Sequence, residues 1–226
     1  EQALALLLGL LRSLPVFFRA QQQREFIRRP TADLHGKTIG IVGFGGNGRR
    51  IAEVLAPFRT RILATDLFPV DRPSWVEHLW PADRLTALLG SSDAVILCLP
   101  LNASTSGLID REHLARMRSS SLLINVARGP VIEESALTEA LQAGVLAGAG
   151  LDVTEVEPLP EESALWNLPN VIITPHVGAQ SAHRVDTTTD FACENLRRFL
   201  EGRPLRNLVD KRLGFPVPVG CDVPEC

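Results

Sequence analysis

From residue 37 onward, short apolar runs alternate with longer amphipathic segments, and this alternation constrains the fold most. Strands that are apolar on both faces are typical of a parallel sheet covered by helices on both sides. The pattern therefore predicts an α/β fold with a doubly wound parallel sheet. Predicted strands occupy 37–43, 61–66, 93–100, 121–127, 146–153 and 170–175, and predicted helices occupy 47–58, 82–92, 110–117 (with Asp110 as N-cap), 132–144 and 181–201.

A glycine-rich loop, "GFGGNG", follows the first strand and opens the first helix of this series. Its glycines at 43, 45 and 48 match G-x-G-x-x-G, which in this context is typical of a Rossmann-type dinucleotide site. Gly43 permits a tight turn, Gly45 lets the backbone approach a pyrophosphate, and Gly48 lets the helix pack closely. We expect the backbone N–H groups of Gly46 and Asn47 to meet the phosphates.

Asp66 ends the second predicted strand, 18 residues after Gly48. A carboxylate at this position can accept hydrogen bonds from both hydroxyls of an adenosine ribose and would repel a 2′-phosphate. The sequence therefore favours NAD over NADP as cofactor.

Three further segments each follow an apolar strand, so they should emerge along the carboxyl edge of one sheet, where open α/β sheets bind ligands. They are "NVARGPV" with Arg128, "LDVTEVEPLP" with Glu157, and "TPHVGAQS" with His176. An arginine offers a planar fork of donors to a carboxylate and a carbonyl, and a histidine can exchange a proton near neutral pH. A buried carboxylate beside the histidine would orient it; Glu157 fits this role, and Glu155 is the competitor.

These motifs, with "GIVGFGGNG" before them, resemble the D-isomer-specific 2-hydroxyacid dehydrogenases in order and approximate spacing over nearly the whole chain. The resemblance implies interconversion of a D-2-hydroxy acid and a 2-oxo acid by hydride transfer with NAD. It also implies that Arg128 binds the substrate and that Glu157 pairs with His176, which transfers the proton. Taken singly, each of the three residues could instead have an ordinary structural role.

The resemblance extends to other residues around the cofactor. It implies contacts from Pro100 and Thr105, a position beside the nicotinamide for Ala127, and a place near the cofactor for Gly178. Asp152 would accept a hydrogen bond from the nicotinamide carboxamide. The pair Gly46–Asn47 departs from the family pattern, in which a basic and an aliphatic residue are common.

The resemblance also implies a second domain that is incomplete here. We expect residues 1–32 to be a helical crossover from the substrate domain, 33–180 to be the NAD-binding domain, and 181–213 to contain a returning helix. Residues 214–226 would be a tail that is poorly ordered or docked on a partner. The front part of the substrate domain is expected to be missing, so substrate identity is not readable.

A binding protein that senses NAD, like the C-terminal-binding-protein corepressors, is the alternative function on the same scaffold. The Arg/Glu/His set does not exclude it, whereas the contexts Glu-Pro-Leu-Pro and Pro-His-Val-Gly-Ala favour the enzyme. A formate-type dehydrogenase is disfavoured because that branch is expected to have glutamine in place of Glu157.

The composition and charge of the chain limit the classes of partner that we expect it to bind. A net charge of −3 and a pI near 6.0 give no electrostatic case for nucleic acid or an anionic membrane. None of the four cysteines forms a CxxC pair, which favours reduced thiols, a cytoplasmic location and no metal site; a disulfide or metal pair of Cys221 with Cys226 is the less favoured alternative. The apolar stretch 3–18 is interrupted by Arg12 and Pro15 and is too short to span a membrane, so we interpret it as a packed or subunit-facing helix of a homodimer.

Overall fold

A seven-stranded parallel sheet in the order β3-β2-β1-β4-β5-β6-β7 organises the chain, in a computed structural model that describes residues 1–218. The chain moves outward from β1 in one direction and then returns to add β4 on its other side, which is the doubly wound, Rossmann-type arrangement predicted from the sequence. The strands are β1 Thr38–Val42, β2 Arg61–Asp66, β3 His78–Pro81, β4 Ala94–Leu97, β5 Leu122–Asn125, β6 Gly148–Leu151 and β7 Val171–Ile173.

Helices cover both faces of this sheet and create two separate apolar cores. Side chains of α1 and α3 pack on one face, and those of α4, α5 and α6 pack on the other. The helices are α1 Gln2–Leu11, α2 Leu14–Gln22, α3 Gly46–Leu55, α4 Leu85–Ser91, α5 Arg111–Arg116, α6 Glu134–Gln142 and α7 Arg184–Leu200. Both faces of β1, β4 and β5 are consequently buried, which explains their continuous apolar sequences.

The sequence pattern did not predict β3, which pairs with β2 at the edge of the sheet. This strand is only four residues long, its outer residues His78 and Pro81 are exposed, and an edge position lacks the apolar run of a central strand. The predicted bounds of β2 are confirmed, whereas the other five predicted strands are longer than the observed ones, mainly because their last residues belong to the loops at the carboxyl edge.

The apolar N-terminal stretch forms two helices and not one. The chain bends by 70° between α1 and α2, where Ser13 adopts a left-handed conformation with φ of 57°. Within residues 1–218 no single helix is long and apolar enough to cross a membrane, although α1 and α2 together meet the length and composition criteria as a bent pair.

Helix α1 packs into the core of its own chain, with Leu6, Leu7 and Leu11 buried in the layer over β5 and β6. Exposure of this helix therefore cannot be the reason for a homodimer, as the sequence had suggested. Exposed apolar side chains occur instead on α2 and α7, among other places, and none of the 17 residues of α7 is buried.

The C-terminal segment differs from the predicted loose tail over the part that the structure describes. Helix α7 begins at Arg184, three residues later than predicted, and is followed by an antiparallel hairpin of β8 Val209–Asp210 and β9 Phe215–Pro216. Cys221 and Cys226 lie outside the described residues.

Candidate active site

The glycine loop between β1 and α3 has the tight geometry that its sequence predicts. Gly43 has a φ of +90°, and a Cβ there would lie 3.0 Å from backbone atoms of Cys98 and Leu99. A Cβ on Gly48 would lie 2.2 Å from the carbonyl oxygen of Gly43. Any larger residue at either position would therefore push the loop or the helix out of place.

Gly45 and Gly46 leave open space in front of the first turn of α3. A Cβ on either residue would meet no atom within 4 Å, and the first N–H groups of a helix have no acceptor within the helix. Asn47, next to them, is exposed. This open, partly positive cradle fits the pyrophosphate of a dinucleotide. It is part of a cleft of about 1050 Å³ whose wall also includes Asp66, Ala127 and Arg128.

Asp66 fastens the end of β2 to the glycine loop. One carboxylate oxygen accepts a hydrogen bond from the backbone N–H of Phe44 at 2.6 Å, and the other accepts from the N–H of Phe68 at 2.9 Å. Because each carboxylate oxygen can accept two hydrogen bonds, the group keeps acceptor capacity for ribose hydroxyls on the side of the cleft.

The loop after β4 forms the opposite wall of the cleft. The hydroxyl of Thr105 donates to the carbonyl of Pro100 at 2.7 Å and accepts from the N–H of Asn102 at 2.8 Å. Thr105 thus shapes the loop, while Pro100 faces the cleft itself. Burial raises the pKa of the nearby Cys98 thiol to about 12, so this thiol is protonated at neutral pH.

Arg128 is exposed at the end of the loop that follows β5, and one guanidinium nitrogen donates to the carbonyl of Ala127 at 2.6 Å. Sequence reasoning missed the residue that holds this loop. The fully buried Asn125 donates from Nδ2 to the carbonyl of Arg128 at 3.0 Å and accepts from the N–H of Ala127 at 3.0 Å. The available signal was an amide in an apolar run, which is expensive to bury unless it is hydrogen-bonded.

His176 and Glu157 form the pair that the motifs imply, with 2.8 Å between the imidazole Nδ1 and a carboxylate oxygen. The other oxygen of Glu157 accepts from the N–H of Thr154 at 3.2 Å. The competitor Glu155 does not make this pair; its own N–H donates to the carboxylate of Glu134 at 2.8 Å.

The expectation of a buried acid is wrong for Glu157, because its side chain is 39 % exposed. The side chain of His176 is similarly accessible, at 44 %. Both residues lie on loops beyond the ends of β6 and β7, outside the two packed cores. Water can therefore reach the pair in the chain by itself.

Asp152 is the buried carboxylate of this region, with 3 % exposure, and it holds the histidine loop. It accepts from the hydroxyl of Thr174 at 2.6 Å and from the N–H groups of Val177 at 3.0 Å and Gly178 at 2.8 Å. The Thr174 hydroxyl in turn accepts from Gln2 of α1 at 2.7 Å. In this geometry the carboxylate oxygens of Asp152 are directed at the histidine loop. The sequence had instead predicted a contact between Asp152 and the nicotinamide carboxamide.

The arginine loop and the acid loop are in direct contact. A Cβ on Gly129 would lie 1.8 Å from the carbonyl oxygen of Thr154, so only glycine allows this approach. Since β5, β6 and β7 are neighbours in one parallel sheet, Arg128, Glu157 and His176 emerge side by side at its carboxyl edge. Among residues 1–218, no group of three or more His, Cys, Asp or Glu could hold a metal ion.

Comparison with known proteins agrees with this geometry. The sequence model described as the NAD-binding domain of the D-isomer specific 2-hydroxyacid dehydrogenases matches residues 4–178. The chain belongs to this dehydrogenase family. The matched region is an NAD-binding domain and contains the glycine loop, Asp66, the arginine loop and the His176–Glu157 pair.

Relatives within the dehydrogenase family are similar in both sequence and structure. Glyoxylate reductase of Pyrococcus furiosus is 40 % identical over 183 residues, which are 80 % of this chain and 53 % of that protein. A D-isomer specific 2-hydroxyacid dehydrogenase of Xanthobacter autotrophicus Py2, solved with NADPH and MES, superimposes with a TM-score of 0.86 at 36 % identity, covering 95 % of this chain and 67 % of that one. D-lactate dehydrogenase of Lactobacillus jensenii, solved with NAD⁺, gives 0.79 at 26 % identity, with 93 % and 68 % covered.

The chain spans little more than half the length of the curated relatives that it matches, between 53 % and 59 % of each. The dehydrogenase family relationship is therefore established on the NAD-binding domain.

Proposed function

We propose that the chain is the NAD-binding and proton-transfer part of an enzyme that interconverts a D-2-hydroxy acid and a 2-oxo acid. The observation that carries this proposal is the 2.8 Å contact between His176 and Glu157 at the same sheet edge as Arg128 and the glycine loop. An acid–base pair beside a dinucleotide site and an exposed guanidinium fits the reduction of a carbonyl next to a carboxylate.

Each of the three side chains has a separate task in this proposal. The guanidinium of Arg128 donates to the carbonyl oxygen and the carboxylate of the 2-oxo acid, which orients the substrate and polarises the carbonyl. His176 gives its proton to the carbonyl oxygen as negative charge develops there, and takes it back in the reverse direction. Glu157 is hydrogen-bonded to Nδ1, which leaves Nε2 as the nitrogen that meets the substrate.

The bound cofactor supplies or accepts the hydride. Gly45, Gly46 and Asn47 would hold its pyrophosphate, and Asp66 would accept from the ribose hydroxyls. We infer a preference for NAD because a second negative charge on a 2′-phosphate would meet the carboxylate of Asp66. Pro100, Thr105, Ala127 and Gly178 would complete the walls of the site, whereas Asp152 would act mainly through the loop that it holds.

The proposed substrates are small 2-oxo acids. Curated relatives are named glyoxylate reductase and glyoxylate/hydroxypyruvate reductase B, and both glyoxylate and hydroxypyruvate present the carboxylate and carbonyl that Arg128 can bind. We place the substrate-domain crossover in 1–32, the NAD-binding domain in 33–180 and the returning helix in 181–213. A homodimer in the cytoplasm, without nucleic acid or membrane as a partner, completes the proposal.

The decisive experiment follows NADH oxidation by absorbance with a panel of 2-oxo acids, using the protein in its natural length. His176→Gln should lower kcat by a factor of about 10²–10⁴, the usual contribution of a positioned acid–base group. Arg128→Ala should lower kcat/KM by about 10²-fold or more, because a charge-assisted bidentate contact is lost. His183→Gln, at the start of α7 and outside the motifs, is the matched control and should retain activity.

Turnover that survives His176→Gln unchanged would contradict the assignment of the proton-transfer residue. If the natural protein binds NADH but reduces none of the 2-oxo acids, the dehydrogenase proposal fails and the NAD-sensing binding protein takes its place.

A further inference from the structure

The C-terminal hairpin lies at the mouth of the dinucleotide cleft. Its turn is closed by Asp210, whose carboxylate accepts from the N–H groups of Arg212 at 2.8 Å and Leu213 at 3.1 Å. Leu213 is 8 % exposed, and its carbonyl accepts from the amide of Asn102 at 3.0 Å. The hairpin is thus fastened to the loop after β4, which forms one wall of the cleft.

Phe215, in β9, is the aromatic residue that this hairpin brings to the site. Its half-buried ring meets the ring of Phe68 edge to face, with 6.0 Å between centroids and an angle of 68°. Phe68 follows Asp66 by two residues and donates its backbone N–H to the Asp66 carboxylate. Phe215 is therefore close to the residue expected to hold the adenosine ribose.

Two cavities meet at Asp66, and Phe215 lines both of them. The larger contains the glycine cradle. The smaller, of about 260 Å³, has an apolar wall made of Val42, Leu67, Leu85, Leu99, Leu108 and Phe215.

In a bound dinucleotide, the ribose and the adenine of the adenosine half would lie in different cavities. Its ribose carries the pyrophosphate on C5′ and the adenine on C1′, so a ribose held by Asp66 with its phosphates at Gly45 and Gly46 directs the adenine away from the glycine loop. The smaller apolar cavity is lined by Asp66 but by neither Gly45 nor Gly46, which line the larger cavity. A flat, weakly polar base gains from such surroundings, above all from contact with an aromatic ring.

We propose that Phe215 forms a wall of the adenine site, so that the C-terminal hairpin contributes directly to cofactor binding. This inference rests on the proposed use of NAD, but it concerns binding and not the proton-transfer step. Removal of the Phe215 side chain should weaken the binding of every ligand that carries the adenosine half. Binding of the nicotinamide half alone should be unaffected.

The test is isothermal titration calorimetry of Phe215→Ala with three probes: NADH, AMP and reduced nicotinamide mononucleotide. Loss of one base–aromatic contact should raise the Kd of NADH and of AMP by about tenfold. The Kd of the mononucleotide should stay within about twofold, which is within ordinary variant scatter. Phe215→Trp, which retains an aromatic face, should bind NADH within about threefold of the natural chain.

Phe26→Ala is the matched control, because it removes the same side chain in the segment after α2, at a site that is 92 % exposed. It should leave all three dissociation constants unchanged. Thermal unfolding of each variant would confirm that the chain remains folded.

An unchanged Kd for NADH and AMP in Phe215→Ala would overturn the inference and leave the dehydrogenase proposal standing. Tighter binding in that variant would also overturn it, since Phe215 would then obstruct the site. Failure of the natural chain to bind NADH would overturn both proposals together.

Discussion

At the scale of single residues, two carboxylates near the histidine differ in environment and in task. Glu157 is exposed and contacts the imidazole, whereas Asp152 is buried and accepts three hydrogen bonds from the loop that carries it. His176 has a φ of 53°, an uncommon conformation for a residue with a side chain. The bonds to Asp152 on both sides of it offset the cost of that conformation.

Replacing Asp152 with asparagine distinguishes a positioning role from a cofactor contact. The amide retains one acceptor but turns a donor toward the N–H groups of the loop, so the histidine loses its fixed position. We expect kcat to fall by about tenfold or more, with the KM for NADH nearly unchanged. A rise in the KM for NADH alone would instead support the carboxamide contact. Steady-state kinetics at saturating 2-oxo acid separate the two outcomes.

The two cysteines in the described part of the chain should react very differently with thiol reagents. Burial raises the pKa of Cys98 to about 12, while Cys193 is exposed on α7. Since the thiolate is the reactive form, brief treatment with N-ethylmaleimide at pH 8 should label Cys193 and spare Cys98. Peptide mass spectrometry would measure this, and the unfolded chain, in which both should be labelled, is the control. Equal labelling in the folded chain would contradict the raised pKa of Cys98.

At the scale of elements, two glycines should respond oppositely to the same substitution. Gly45→Ala meets open space and an ordinary extended backbone, so stability should be retained, but the methyl group enters the pyrophosphate cradle. We expect the Kd for NADH to rise by about tenfold or more with an unchanged unfolding midpoint.

Gly129→Ala places a methyl group against the carbonyl of Thr154 and forces the arginine and acid loops apart. Overpacking of this kind should lower the free energy of unfolding by about 3 kcal/mol, as measured by urea denaturation. Equal stability of the two alanine variants would show that the contact between the loops is not tight.

Asp110 caps α5 as the sequence predicts, accepting from the N–H of His113 at 2.9 Å. This backbone hydrogen bond is the main cause of the lowered pKa of Asp110, with the His113 side chain adding to it. Because the folded pKa lies below the ordinary value of 3.8, the stabilisation is present above that pH and is lost as pH falls through the folded pKa.

Asp110→Ala should therefore lower the free energy of unfolding by about 1 kcal/mol at pH 7 and by less below pH 4. Denaturation at both pH values measures the difference, with Asp110→Asn as the variant that retains a neutral cap. A penalty that is equal at both pH values would mean that the carboxylate charge does not contribute.

Local sequence predicted the features that depend on a few neighbouring residues. It did not predict the features that depend on tertiary packing. The glycine spacing predicted the loop of Gly43, because this loop needs only a strand end and a few residues after it. The His176–Glu157 pair was implied by the family resemblance of the two loop motifs, whereas the residues alone left Glu155 as a competitor. The strand at 78–81 was not predicted, because its extended conformation depends on pairing with β2 and not on its own sequence pattern. Neither the 70° bend after α1 nor the position of Phe215 could be read from periodicity, since both depend on distant partners.

At the scale of the whole molecule, the exposed apolar surface supports the proposed homodimer on different grounds from those given by the sequence. Phe18 of α2 is 57 % exposed, and Phe199 and Leu200 of α7 are 69 % and 76 % exposed. Burial of such large apolar side chains against a second chain would remove them from water.

Size-exclusion chromatography with light scattering should therefore give twice the chain mass of 24.7 kDa at micromolar concentration. Phe199→Asp should shift the equilibrium toward the monomer, because a charge would be placed in the apolar contact. Asp83, exposed in the turn before α4, allows a matched control in Asp83→Asn. A monomeric natural chain would contradict the proposed dimer.

The strand order has one more consequence. Apart from Phe215 of the hairpin, the residues that would hold the adenosine half come from β1, β2 and the loop after β4, within 42–108, whereas the reacting residues come from the next three strands, within 125–178. The two groups occupy separate stretches of the gene and separate halves of the sheet. Selection, natural or in the laboratory, can therefore exchange one dinucleotide for another by changes around Asp66 without disturbing the residues that handle the proton.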